Sequence, residues 1–421
     1  MTAWEIKGWC PGALRPMQSG DGLVVRIRPP LGRLTPAQAQ AIAEASTRHG
    51  NGILDLSARA NLQLRGVTEA SHGPLIDELR AQGLIDPDIE TESLRNLIVT
   101  PFRASLPPPA GEGRQPSRTT ADPSASLPPT WGRAGEGGHP ASPSSDDTDT
   151  LAATLTAALA QMPRLPSKFG FALDTGPRPM LTGASADIRV ERAPDGRLIL
   201  RPDGHVSGQP VTDLASDATS LVNWFVANGG ISNGRGRMAA LIAKGILPPG
   251  CTLAPAEPLP QPGPGLHPEG ALVALAFGQM QAQTLHQLAA LGHDLRLTPW
   301  RMLLIVGATE VPDISGLITD PAAPILRLTA CTGAPGCPQA LGDTRHLARA
   351  LAPHLPAGQS LHLSGCAKGC AHPGPADLTL TATAQGYDLI RHGSASDTPS
   401  LTGLTPEAIL NHLKDPHAPS L

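Results

Sequence analysis

The sequence predicts an α+β protein built as an internal duplication, two copies of one unit related by a pseudo-twofold. A strand–helix–strand run occurs twice: LVVRIR, AQAQAIAEASTRHG and ILDLSARANLQLRGV early, then ALVALAF, QAQTLHQLAALGH and LRLTPWRMLLIVG late. The segments that follow correspond more weakly, LAATLTAALAQMPRLPSKFGFALD with TRHLARALAPHLPAGQSLHLSG and DIRVERAPDGRLILRP with DLTLTATAQGYDLIRHG. A proline-rich linker, residues 248–264, separates the copies.

The first copy enters through GWCPGALRPMQSGDG, punctuated by glycine and proline and without helical period. LVVRIR alternates as a strand, with Arg26 and Arg28 on one face. Thr35 is an N-cap, Pro36 suits the first helical position, and the helix stops at Gly50, where a left-handed glycine cap is expected. ILDLSARANLQLRGV reads as one strand that projects Arg59, Asn61, Gln63 and Arg65 from one face, with Leu62 and Leu64 behind. A solvated strand face is the ordinary reading of such a row. Arginines concentrated on neighbouring strands favour instead a ligand with several carboxylates, each gripped bidentately by a guanidinium.

Residues 103–150 are Pro/Gly/Ser-rich, almost free of aliphatics, and carry an imperfect repeat, SLPPPAGEG and SLPPTWGRAGEGG. Such composition cannot bury enough apolar surface to offset the entropy of ordering, so the segment reads as a disordered insertion. Residues 151–247 complete the first copy with a helix, LPSKFGFALDTG, a hairpin turning at Asp195-Gly196 and a helical region over 215–246. Residues 265–310 repeat the first half and residues 311–421 the second. Against Arg59, Asn61, Gln63 and Arg65 the second copy sets Trp300, Met302, Leu304 and Val306, an apolar row expected to be packed. The copies therefore divide labour: the first grips an acidic ligand, the second holds an electron carrier, and the ligand lies at the seam.

That carrier is read from Cys331-x5-Cys337 and Cys366-x3-Cys370. Four thiolates in two close pairs are the set a [4Fe–4S] cluster needs. Gly333, Gly336, Gly365 and Gly369 let the backbone curl and aim N–H groups at the sulfurs. Zinc competes, but structural zinc favours C-x2–4-C pairs and the first pair is wider. Cys10 and Cys251 are left over and read as buried free thiols. His372, two residues past Cys370, and Asp377 are candidate iron ligands or proton donors, the plainer reading being a surface or capping role. Lys368 tunes the cluster's charge. Asn96, beside Arg95, either hydrogen-bonds a ligand carboxylate or caps a turn.

At 421 residues and a net charge of −4, the chain is too long for one ordinary domain and unsuited to nucleic acid or an acidic membrane as main partner. No apolar stretch reaches membrane-spanning length and the N-terminus lacks a signal-like core, so a cytoplasmic protein with reduced thiols is expected. Lysine is scarce, Lys7, Lys168, Lys244, Lys368 and Lys414 against 32 basic residues in all, which draws notice to Lys168 and Lys368.

DGLVVRIRPPLGRLT, LSARANLQLRG, RNLIVTPF, LPSKFGF and the cysteine pairs, in that order, resemble the sulfite and nitrite reductase family over nearly the whole chain outside 103–150. The resemblance implies duplicated ferredoxin-like half-domains, in 1–102 and 265–310, plus two reductase-type α+β domains. Of these 151–247 lacks the cluster and 311–421 carries it. In that family the last cysteine, here Cys370, also bridges to a sirohaem, and Arg59, Arg95 and Lys168 match residues around the substrate anion. The second lysine's place holds Gly170 and a usual glutamine is Ala60. Those departures undercut a small-anion reductase and suit a bulky tetrapyrrole.

The opening GWCPGALRPMQSGDGLVVRIRP and the ending GCAKGCAHPGPADLTL are similar to the precorrin-3B synthase branch. That likeness implies a monooxygenase of aerobic cobalamin biosynthesis. It would hydroxylate the tetrapyrrole precorrin-3A and close a lactone, using O2, an electron donor (NADH or a reductase), a [4Fe–4S] cluster and a mononuclear non-haem iron. Arg26, Arg28, Asn61, Gln63, Arg65 and Asn96 would hold its acetates and propionates. Arg59, Arg95, Lys168 and His372 would act at the reacting end. Two readings compete, a sirohaem-dependent sulfite or nitrite reductase and a non-catalytic iron–sulfur tetrapyrrole carrier.

Overall fold

A computed structural model describes residues 11–103 and 147–414. Cys10 and most of the expected insertion, residues 104–146, lie outside them. The first copy runs β1 (Met17–Ser19), β2 (Gly22–Ile27), β3 (Arg33–Leu34), α1 (Pro36–His49), β4 (Ile53–Leu56), β5 (Leu62–Val67), α2 (Glu69–Ala81) and α3 (Ile89–Leu94). It continues with β6 (Leu97–Val99), α4 (Asp147–Leu159), β7 (Phe171–Leu173), β8 (Ile188–Arg192), β9 (Leu198–Pro202), β10 (Gln209–Pro210), α5 (Leu214–Ala227) and α6 (Met238–Ile242). The second copy runs β11 (Gly265–His267), β12 (Gly270–Leu275), β13 (Gln279–Gln281), α7 (Ala282–Ala290), β14 (Leu295–Leu297), β15 (Met302–Val306) and β16 (Leu317–Ile318). It closes with β17 (Leu328–Ala330), α8 (Thr344–Leu351), β18 (Leu361–Ser364), β19 (Ala376–Thr383), β20 (Gly386–Gly393), β21 (Leu401–Leu404) and α9 (Pro406–Lys414).

The duplication is visible in register. β4 and β5 pair Leu54 with Leu64, Asp55 with Gln63 and Leu56 with Leu62. β14 and β15 repeat this as Leu295 with Ile305, Arg296 with Leu304 and Leu297 with Leu303. Left-handed residues recur at matching places too, Leu31 (φ 56°) with Phe277 (φ 60°) and Ala60 (φ 53°) with Arg301 (φ 61°). Non-glycine residues rarely take this conformation, so its repetition shows a shared backbone.

The two half-domains exchange a strand. β13 of the second copy pairs with β4 of the first, and β3 of the first pairs with β14 of the second. The resulting sheets run β1-β2-β5-β4-β13 and β11-β12-β15-β14-β3. α1 packs on α7, and one hydrophobic core spans both halves. The reductase-type sheets, β10-β9-β8-β7-β6 and β17-β18-β19-β20-β21, are also alike, with three parallel strands followed by two antiparallel ones.

Several expectations change. ILDLSARANLQLRGV is not one strand but the hairpin β4–β5, turning at residues 57–61, so Arg59 sits in the turn and off the face of Gln63 and Arg65. Gly50 caps α1 with φ −125°, extended rather than left-handed; it is glycine because a Cβ there would lie 2.5 Å from the Arg65 carbonyl oxygen. At the other end Thr35 and Gln38 form a capping box. Residues 147–150 belong to α4, not to the insertion, and Arg103 pairs with Asp149 across its two described ends. The linker is strapped to the first reductase-type sheet: Leu253 bridges Gly208, and Ala256 N donates to Arg192 O at 2.8 Å.

The apolar row is packed as expected, with Leu304 fully buried, Met302 nearly so and Trp300 half-buried beside Phe102 and Met180. Among the described residues no helix is long and apolar enough to cross a membrane.

Candidate functional site

The parallel neighbours β17 and β18 pair Ala330 with Leu363, so their C-terminal ends lie side by side. Cys331 follows β17 directly, and Cys366 follows β18 by two residues. The loops curl back to bring in Cys337 and Cys370; Cys337 N donates to Gly333 O at 2.8 Å. Gly365 N donates to Cys331 Sγ at 3.2 Å, the amide-to-sulfur contact a cluster uses. At Gly365 a Cβ would lie 2.6 Å from that of Ala340, and at Gly333 (φ 69°) 2.6 Å from Thr344 Oγ1. Side chains would therefore push both loops open. Burial raises the Cys370 thiol pKa, Lys368 opposes that rise, and the other three thiols add to it, so all four share one electrostatic neighbourhood. The set fits a [4Fe–4S] group.

Among the described residues, the four thiols included, no three His, Cys, Asp or Glu side chains close on a point as ligands of a single metal ion. The mononuclear non-haem iron implied by the resemblance therefore finds no side-chain triad there.

The first copy reaches the cluster loop through its polar strand face. Gly336 O accepts from Gly20 N at 3.1 Å, from the Ser19 hydroxyl, and from Arg65 Nη2 at 3.2 Å. Arg65 is buried and also grips Asp21 (Nε 2.8 Å, Nη2 2.7 Å) and Asp55 (Nη1 3.2 Å). Burial alone would lower its pKa, but the two carboxylates more than offset that and hold it above its ordinary value. The other Asp55 oxygen accepts from Arg345 Nη1 of α8 at 2.9 Å. Asp55 thus ties both copies together beside the cluster. Asp21, Asp55 and Arg345 escaped the sequence reading; an aspartate inside the apolar run ILDL was their one visible sign.

Two expected carboxylate grips, Arg65 and Arg28, and Arg95, expected at the reacting end, are committed elsewhere. Arg65 is a latch on the cluster loop. Arg28 is buried, donates to Glu92 O at 2.8 Å and pairs with the Glu92 carboxylate. Arg95 holds Asp86 bidentately, both contacts at 2.9 Å. Arg26 lies opposite Gln63, which lies opposite Asp55, in one row across the sheet. Asn61 is buried where β5 begins.

Arg59 and Lys168 do meet. Arg59 Nη2 donates to Lys168 O at 2.9 Å and to Ser185 Oγ at 3.1 Å, leaving the Lys168 side chain exposed. Asn96 Nδ2 donates to Phe169 O at 2.7 Å, fixing the same segment. The room left by Gly170 is filled by the protein itself, for a Cβ there would lie 2.7 Å from Asn96 Nδ2 and 3.1 Å from Arg59 Nη1. Arg237, unforeseen, joins this group by donating to the buried Asp187 at 2.9 Å and to Ser185 at 3.3 Å.

Beyond Cys370, His372 Nε2 lies 3.1 Å from Pro375 O; with a carbonyl as partner, Nε2 must carry the proton and Nδ1 is left as acceptor. Its ring meets that of His362 edge-on, centroids 5.6 Å apart. His362, also unforeseen, is fully buried with neither ring nitrogen bonded, and burial, helped by His372 and Arg301, pushes its pKa down to about 4. Asp377 accepts from Ser360 and lies near His392, so its place is the start of β19, the middle strand of its sheet.

Comparison with known proteins agrees with this architecture. The nitrite/sulfite reductase ferredoxin-like half domain matches residues 15–82. A precorrin-3B synthase from Sinorhizobium is 30% identical, the match spanning 94% of this chain and 84% of that protein. A ferredoxin–nitrite reductase from Synechococcus elongatus is 26% identical over 87% of this chain and 77% of its own. The structure of Mycobacterium tuberculosis NirA superposes with a TM-score of 0.59 at 16% identity, covering 93% of this chain and 79% of NirA. The chain belongs to the precorrin-3B synthase family, within the sulfite and nitrite reductase superfamily.

Proposed function

We propose that this protein is an oxidoreductase that hydroxylates a polycarboxylate tetrapyrrole, precorrin-3A, at the seam between its copies. The observation that carries the reading is the joint built around Asp55 and Gly336, where arginines of both copies lie beside a loop bearing two of the four thiols. Precorrin-3A bears acetates and propionates, which guanidinium groups bind better than neutral donors do.

In the proposed reaction one oxygen atom of O2 enters the macrocycle and the other leaves as water, taking two electrons and two protons from solvent and an external donor. With that oxygen bridging a ring double bond, a ring acetate's carboxyl attacks one of the two carbons, breaks its bond to the new oxygen and passes its proton there, closing the lactone and leaving the hydroxyl. Cys331, Cys337, Cys366 and Cys370 would hold a [4Fe–4S] cluster, which supplies electrons singly. Arg59, Lys168 and Arg237 orient the substrate from the first copy, and Arg26 and Gln63 line the sheet face between. His372, with its proton fixed on Nε2, presents Nδ1 to accept a proton near the cluster loop.

The test is anaerobic purification followed by an absorption spectrum, iron and sulfide counts, and turnover of precorrin-3A with O2 and reductant. Cluster absorbance without haem bands, and oxygen-dependent formation of the hydroxylactone, is the expected result. A strong haem spectrum with sulfite or nitrite reduction would overturn it in favour of a sirohaem reductase. Binding without turnover would leave a carrier.

A further inference from the structure

We infer that Arg301, with the Arg345 and His362 side chains beside it, seats one carboxylate of the tetrapyrrole at the edge of the cluster loop. The inference rests on the tetrapyrrole reading above. Arg301 takes φ 61°, a left-handed conformation that costs a long side chain free energy. The fold needs that bend but not an arginine, since the first copy makes it with Ala60 at φ 53°. An arginine held there at a cost calls for something to hold.

The surroundings leave donors over. Arg301 is partly buried, and its one hydrogen bond among the described residues is a long one, Nη2 to Ala371 O at 3.4 Å. The carboxylate that bears on it, Asp55, already spends one oxygen on Arg65 and the other on Arg345. Arg345 keeps a buried Nε without a partner, and His362 two bare ring nitrogens at zero exposure. Buried donors without acceptors are rare, because desolvating them is costly. Among the described side chains Arg65, Arg301 and Arg345 face the carboxylates of Asp21 and Asp55, three cations to two anions before the cluster's own charge is counted. Burial and the neighbouring Arg345 lower the Arg301 pKa, and Asp55 opposes them. A carboxylate supplies the missing charge and two acceptor oxygens at once. Gly278 leaves space for the Arg301 stem itself, for a Cβ there would lie 3.2 Å from Arg301 Cγ.

Uroporphyrin, a soluble porphyrin rimmed with acetates and propionates, serves as probe. It is titrated into cluster-loaded wild type, Arg301→Ala, Arg301→Lys and Arg197→Ala, following porphyrin fluorescence, with cluster absorbance and melting temperature recorded for each. Wild type should bind, and Arg301→Ala should weaken binding about ten- to a hundredfold, the loss of one charge-assisted contact. Its salt dependence should flatten, Arg301→Lys should recover part of the affinity, and Arg197→Ala, exposed in the turn between β8 and β9, should change nothing. Equal affinity in wild type and Arg301→Ala overturns the seat and leaves the tetrapyrrole reading standing. No binding by wild type overturns that reading and the seat with it. A loss in Arg301→Ala that lysine does not recover, accompanied by loss of cluster absorbance, makes the residue structural and also overturns the seat.

Discussion

Thr100 and Cys331 occupy the same corner of two like-built sheets. Thr100 N donates to Leu173 O at 2.8 Å, and Cys331 N to Leu363 O at 3.2 Å, one bond in two copies. By the same register Gly176 answers Cys366. Where the second copy gathers thiols, the first closes on itself: the Thr148 and Thr175 hydroxyls bond at 2.6 Å, and Asp174 accepts from Met180 N and Leu181 N, both at 2.6 Å. The strands therefore supply a frame that is indifferent to the cluster. Its loops and side chains decide which copy carries the chemistry.

The sharpest way to break this contrast is to remove a thiol. Cys366→Ser should abolish nearly all iron and sulfide in the purified protein, whereas Cys251→Ser should leave both unchanged. Iron retained by Cys366→Ser would show that the strand-end assignment is mistaken.

Next in size is Arg65→Leu, in the copy without the cluster thiols. It strands Asp21 and takes one of two arginine partners from the buried Asp55, and losing one partner of a buried pair costs up to about 3–5 kcal/mol. Chemical unfolding should show that loss, and cluster content should fall with it because Gly336 loses a tether. Unchanged iron in this variant would mean that the copies do not depend on each other there.

Asp174 tests the closed corner. Burial raises its pKa to about 6 from an ordinary 3.8. A carboxyl raised by folding stabilises the fold below pH 4 and loses that contribution as pH climbs through 6. Asp174→Asn, a neutral mimic, should therefore gain up to about 3 kcal/mol at pH 7–8, with the gain shrinking between pH 6 and 4 and vanishing below. Melting temperature against pH reads the difference, and a pH-independent effect would refute it. The smallest change expected is for deletion of residues 105–145, whose flanks Arg103 and Asp149 already meet. Iron content and activity should stay within about twofold.

The sequence showed the duplication, the thiols and the packed row of Met302 and Leu304, because periodicity and spacing are local signals. It hid the turn at Ala60, where a left-handed bend carries no glycine; Pro299 marks the matching turn in the second copy. It also hid the partners of its arginines. Arg65 meets Asp21 from 44 residues away, and Arg345 meets Asp55 from 290. A basic row thus looked available when folding had already neutralised much of it. Arg301 was invisible for the opposite reason: it stood between Trp300 and Met302, and only the apolar row those two belong to drew notice.

The strand exchange of β3 and β13 has a consequence for how such a molecule can change. Each half contributes an edge strand that its neighbour lacks, the arrangement of a swapped dimer whose protomers have been joined end to end. Neither half can be cut away without exposing an unpaired edge on the other. So long as each keeps lending its strand, its corner loops are free to drift. A pair of twins so bound can specialise, one toward electrons and the other toward acids, without ever parting.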